Sequence, residues 1–143
     1  MIDTVITRLK AEVSDFSGRI EGAAEFAVLM RQNALPQVTP AAHVLPLGLR
    51  GGQGQTGAGA FRQEVEEVIA VLITLRAHSR TGREVLPDLD ALIRKVITSV
   101  VGWGPDDAIG VFRLTRGQLV SMSAGTLLYQ LDFAITDQLR ILS

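Results

Sequence analysis

Gly52, Gly54 and Gly57 carry the spacing Gly-x-Gly-x-x-Gly inside the stretch Gly51-Gly-Gln-Gly-Gln-Thr-Gly-Ala-Gly59. That spacing binds a dinucleotide when a strand precedes it and a helix follows, because the helix N-terminus then meets the pyrophosphate. Here the glycines run into Phe61-Arg-Gln-Glu-Val65, which reads as the start of a strand. The stretch contains no lysine, so it is not a Walker-type phosphate loop either. The glycines read instead as a flexible hairpin connection between two strands, or else as a flexible arm that orders on meeting a partner.

The other reactive side chains do not assemble into a site. His43 and His78 lie at strand positions with no Asp, Glu or His at ligand spacing, and no His-Glu-x-x-His occurs. Their roles stay open. Glu64, Glu66 and Glu67 cluster at the base of a strand. Burial could raise a pKa there for acid–base work, but a solvated strand end is the plainer reading. Asp88 and Asp90 fall in the first turn of a helix, where the dipole favours negative charge. Asp106-Asp107 follow Pro105 in a turn. Ser121 and Ser123 flank Met122 near Ala124-Gly125, which is not a Gly-x-Ser-x-Gly elbow. Arg76, Arg80 and Arg83 gather near one turn, but Glu84 and the even overall charge argue against a nucleic-acid stripe. Trp103 is the single tryptophan. It either packs in the core or anchors a contact. The expectation is a chain without an enzyme active site, cofactor or metal.

Bulk properties agree. The 143 residues suit one domain, large enough to bury roughly two-thirds of its unfolded surface. Hydrophobic residues make up 47% and charged residues 20%, which argues for a folded chain. Net charge is −1, so no broad field draws nucleic acid. With no cysteine, disulfides, thiolate nucleophiles and zinc–thiolate sites are excluded. The N-terminus carries Asp3, Arg8, Lys10 and Glu12 and does not read as a signal peptide. The apolar run Val68–Ile73 is far short of the ~20 residues of a membrane helix. A soluble, intracellularly made protein is expected.

The elements that would hold these residues follow from periodicity. Ile2, Val5, Ile6, Leu9 and Val13 form a helical stripe, and Ala23, Phe26, Ala27 and Met30 form a shorter one. Between them, Gly18–Gly22 reads as an edge strand. Pro36, Pro40 and Pro46 keep residues 37–49 extended, with strand character over His43–Leu49 at a sheet edge. Phe61–His78 is the clearest strand. Both its faces are apolar mid-way, so it should be central and covered on both sides, and its length should carry it beyond the domain body. Leu86, Leu89, Leu92, Ile93, Val96, Ile97, Val100 and Val101 make an amphipathic helix that Gly102-Trp-Gly-Pro105 ends. Val111–Val120 reads as a hairpin turning at Arg116-Gly117, and Tyr129–Thr136 as a strand with one wet face. The fold class is α+β: a single domain with a mixed or antiparallel sheet of about four to six strands and helices packed against it.

Three segments together resemble the tail terminator proteins of long-tailed, lambda-like bacteriophages and prophages. They are Ala34-Leu-Pro-Gln-Val-Thr-Pro40 leading to Val44-Leu-Pro-Leu-Gly48, Val101-Gly-Trp-Gly-Pro-Asp-Asp107, and Tyr129-Gln-Leu-Asp-Phe133. The resemblance spans nearly the whole chain in element order. It implies a structural virion protein, assembled in the host bacterial cytoplasm and placed at the head-proximal end of the tail. By the same resemblance the partners are further copies of the chain in a homo-hexameric ring, the tail tube protein, and a head-completion or connector protein. Genomic DNA would cross the ring lumen without specific recognition. A long mobile arm is a family habit, and residues 48–60 are its counterpart here. Arg50, Gln53, Gln55 and Arg62 are then candidates for the tube or neighbour contact, with Glu64, Arg76 and Trp103 as further interface candidates. A head–tail joining factor shares size, neutrality and ring habit. A small ligand-binding α+β domain is the rival of a different class, and it would need a pocket with converging polar groups.

Overall fold

Val5 and Leu9 are fully buried on the first helix, α1 (Ile2–Glu12), where the apolar stripe at three- and four-residue steps demanded a covered face. The same logic sets α3 (Leu86–Val100). Pro87 starts it, and Leu89, Leu92, Val96 and Val100 turn inward. Between them lie β1 (Ile20–Glu21), α2 (Ala23–Arg31), β2 (Ala41–Gly57) and β3 (Ala60–Arg76). After α3 come β4 (Arg113–Ser123) and β5 (Thr126–Leu142), and short 3-10 turns occupy Ser14–Phe16 and Arg83–Val85. The computed structural model describes residues 1–77, 83–105, 108–123 and 125–142, so His78, Arg80 and Asp106-Asp107 fall outside the described residues.

The strands form one five-stranded mixed sheet in the order β1-β2-β3-β5-β4. Only β1 and β2 run parallel; the other neighbours are antiparallel. The fold is therefore α+β, as the periodicities require. On one sheet face Ile69, Val71 and Ile73 of β3 and Leu131, Phe133 and Ile135 of β5 join the inward residues of α1 and α3 in a single core. On the opposite face Ala70, Leu72 and Thr74 are also buried, and Phe26 of α2 packs on His43 with ring centroids 5.2 Å apart. β3 is thus central and covered on both faces over its second half, as its double apolar pattern predicts.

Three expectations need correction. The glycine stretch is not a long loop: β2 continues through Gly57, and only Ala58-Gly59 connect it to β3. Both have positive φ, 50° and 73°, the signature of a tight two-residue hairpin turn. Glycine content misled because β2 tolerates it through two register shifts, between Pro46 and Gly48 and between Gly51 and Gly54. Second, Arg116-Gly117 is no turn. Both pair within β4, opposite Asp132 and Leu131 of β5, and the hairpin is the one joining β4 to β5. Gly117 is there for close approach, since a Cβ on it would lie 3.2 Å from both Leu131 Cδ2 and the Tyr129 hydroxyl. Third, the last strand does not stop at Thr136. It pairs with β3 all the way from Thr126 to Leu142.

Candidate functional site

These corrections create the most distinctive feature of the molecule. β2, β3 and β5 are each 17 residues long and run beyond the helices together. From Ile69, where the continuous burial of β3 ends, to Ala60 at the tip, the arm extends about 30 Å at the usual rise per strand residue. It is a three-stranded ribbon rather than a loop, with β3 paired on both sides along its length and β2 and β5 as its edges.

Alternation gives the arm two unlike faces. Register places Phe61 opposite Ile141, Gln63 opposite Leu139 and Glu67 opposite Leu49, with Val65 on the same side. This face continues the core face of the sheet, but no helix covers it. Leu49 is 73% exposed and Ile141 57%. Glycine leaves room for side chains that lie across β2: a Cβ on Gly54 would sit 2.5 Å from the Phe61 ring, and one on Gly51 would sit 2.7 Å from Gln63 Nε2, so either side chain would have to move. Gln63 Nε2 donates to the Gly52 carbonyl at 2.9 Å, clamping β3 to the shifted part of β2. The glycines therefore serve side-chain packing across the ribbon, with no helix N-terminus after them to hold a phosphate.

The reverse face is polar. Arg50 lies opposite Glu66, Gln55 opposite Arg62, Glu64 opposite Gln138, and Arg62 opposite Arg140. Arg113 reaches across from β4 to Glu66 at 2.6 Å. Arg62 and Arg140 are like charges in register, an arrangement that disfavours the isolated sheet.

The structure brings Arg50, Gln53, Gln55, Arg62 and Glu64 together on the arm, all exposed. Gln53 falls in the second register shift of β2. Arg76 sits at the far end of β3. Its guanidinium donates to the carbonyls of Pro36 at 2.7 Å and Leu35 at 3.2 Å, and to Thr126 Oγ1 at 3.4 Å, pinning the chain between α2 and β2. It lines an open cavity of about 470 Å³ with Met30, Asn33, Gln37 and Ser123. Trp103 is half-buried where α3 ends. Its ring stacks on Phe112 with centroids 6.0 Å apart, and the Arg8 guanidinium lies 5.2 Å above it. Arg8 Nε also donates to the Ser99 carbonyl at 3.0 Å, tying α1 to α3.

His43 is 2% exposed, and among the described residues neither ring nitrogen has a hydrogen-bond partner; nor does Thr74 Oγ1 nearby. Burial pushes the imidazole pKa below its ordinary value, against an opposing pull from Glu21 and Glu25. A neutral imidazole packed on Phe26 is a core residue here. Asp15 has its pKa lowered chiefly by the hydrogen bond from Lys95, at 2.8 Å. Among the described residues no group of three or more His, Asp or Glu could hold a metal, and no helix is long and apolar enough to cross a membrane.

The sequence reading did not find Leu49, Phe61, Val65, Leu139 and Ile141 as a functional surface. Part of the signal was present: Gln138-Leu-Arg-Ile141 alternates polar and apolar, although Asp137 interrupts the apolar side.

A family model described as phage tail terminator protein matches residues 2–142. The chain belongs to the phage tail terminator family. No curated protein matches it. Membership makes it a structural component of a phage tail, one that meets other tail or head proteins, in a family not known for enzymatic activity.

Proposed function

We propose that this tail terminator assembles as a homo-hexameric ring on the last ring of the tail tube, stops tube polymerisation there, and presents the surface on which the head-completion protein docks. The arm carries this reading. Its row Leu49, Phe61, Val65, Leu139 and Ile141 is the core face of the sheet extended into solvent, and such a row is stabilised only when another chain covers it. Arg50, Gln53, Gln55 and Arg62 then lie in or beside the tube or neighbour contact. A ring needs a head-to-tail contact that closes on itself, and an arm at one end of the chain is suited to make one. The near-neutral charge lets genomic DNA pass through the lumen without being held. The ring forms in the host cytoplasm and ends at the head-proximal end of the tail.

The test removes Gln53–Gly57 and places this shortened chain in a terminator-deficient phage. The shortened chain should fold, because these residues lie outside the core. Tails should overgrow, and tube ends seen by electron microscopy should lack a cap. Tails of normal length capped by the shortened chain would refute the role of the arm. Capping of head connectors, with no binding to tube ends, would assign the chain as a joining factor instead.

A further inference from the structure

α2 is an anomaly among the helices. Its nine residues, Ala-Ala-Glu-Phe-Ala-Val-Leu-Met-Arg, are mostly apolar, yet none is buried and no side chain caps its start. A helix this short is marginal in water, and in proteins such helices are stabilised by packing an apolar face. Val28 and Met30 are 40% and 45% exposed. Glu25 lies one turn before Val28 on the same side of the helix and Glu21 just precedes the helix, and among the described residues neither forms an ion pair. At the arm tip the polar face has the opposite character. Arg62 and Arg140 stand side by side without an acidic partner among the described residues, and Leu142 next to them is 73% exposed.

We propose that the tip of the arm of one copy seats on α2 of a second copy, with Arg62 and Arg140 facing Glu21 and Glu25 and Leu142 against Val28. The two surfaces cannot meet within one chain. α2 packs beside His43 near the start of β2, and the tip lies at its other end, about 50 Å away at the usual rise per strand residue. The contact is therefore between copies. It is head-to-tail, with different patches on the two partners, which is the type that propagates until a ring closes. It relieves two unfavourable features at once, the like-charge pair on the arm and the exposed Val28 side chain of α2. It rests on the reading of the chain as a ring-forming terminator, and it assigns the polar tip of the arm to a neighbouring copy.

The chain has no cysteine, so single cysteines report the contact cleanly. Gln55→Cys, opposite Arg62, marks the arm; Ala24→Cys marks α2; Thr98→Cys on α3 is the control. A mixture of the first two, treated with a short bis-maleimide, should give heterodimer at least tenfold above mixtures with the control. Arg62→Glu with Arg140→Glu in the arm-marked chain should return that yield to the control level. Glu21→Lys with Glu25→Lys in the α2-marked chain should then restore it. All four charged residues are exposed, so thermal melts of each variant should match the parent. Heterodimer no higher than control overturns the proposal, as does insensitivity to the charge reversals. Gln55→Cys carrying a benzophenone maleimide, whose photoreactive end needs no second thiol, is irradiated with tubes added; labelling of tail tube protein alone overturns the copy-to-copy assignment and leaves tube capping intact, so the two failures are distinguishable.

Discussion

Replacing His43 with leucine should stabilise the protein. The imidazole is 2% exposed with both ring nitrogens unpartnered among the described residues, so folding strips them of water and returns nothing. An unpartnered buried polar group costs about 1–3 kcal/mol in proteins, and an apolar group of similar size removes that cost while keeping the contact with Phe26. A strain allowance for the altered shape brings the expected gain to about 1–2 kcal/mol at pH 8. For a chain of this size that corresponds to about 4–8 °C in Tm, or to a higher urea midpoint with unchanged m. The pH profile supplies the sharper check. The folded pKa of His43 lies below the ordinary 6.5, because burial disfavours the charged ring. The folded state therefore binds fewer protons, and the wild-type chain loses stability as pH falls below 6.5 towards the folded value, then levels off. His43→Leu lacks this component, so its advantage should widen between pH 8 and pH 5, by up to about 1.4 kcal/mol per pH unit. Urea titrations at several pH values measure both effects. A destabilised variant at pH 8, or two parallel pH profiles, would refute the reasoning and mean that a ring nitrogen is hydrogen-bonded in solution.

Other outcomes follow from the same geometry. Leu139→Ser with Ile141→Ser should change the stability of the isolated chain by less than about 1 kcal/mol, since both side chains are half exposed already, while abolishing tail capping in a complementation assay. Gly54→Ala should drive the Phe61 ring off β2 and loosen the arm without touching the core, seen as faster hydrogen exchange in residues 48–65 at an unchanged urea midpoint. Arg8→Ala should cost about 1–2 kcal/mol in urea, because it removes both the contact over Trp103 and the bond to the Ser99 carbonyl. Lys95→Gln should cost under 1 kcal/mol at pH 7, as the pair with Asp15 is mostly solvated. The Asp15 pKa is depressed, so this contribution is present above pH 3.8 and fades as pH falls below it, and the mutant and wild-type curves should converge in acid.

Much of the fold was legible in the sequence because burial leaves a period. The stripes of α1 and α3 and the doubly apolar β3 name their own secondary structure and most of their buried residues; the exceptions are the ends of the α3 stripe, where Leu86 and Val101 are exposed. The segments of the family resemblance are likewise local. The arm was half legible. Overshoot of β3 could be read from its length, but its partners could not: glycines in β2 look like a loop until Phe61 and Gln63 are seen lying across them. Arg116-Gly117 looked like a turn for the same reason, since only the side chains of Tyr129 and Leu131 on the neighbouring strand show why glycine stands there.

The sequence by itself determined that the chain folds as α+β around one apolar core, because periodicity and composition are properties of neighbours along the chain. Only the tertiary structure decided that β2, β3 and β5 run out together as a two-faced ribbon, that Arg62 meets Arg140, and that no residue of α2 is fully buried. Those facts depend on strand register and on which helices cover which face. Register is fixed by side chains from distant parts of the chain packing on one another, and no local pattern encodes it.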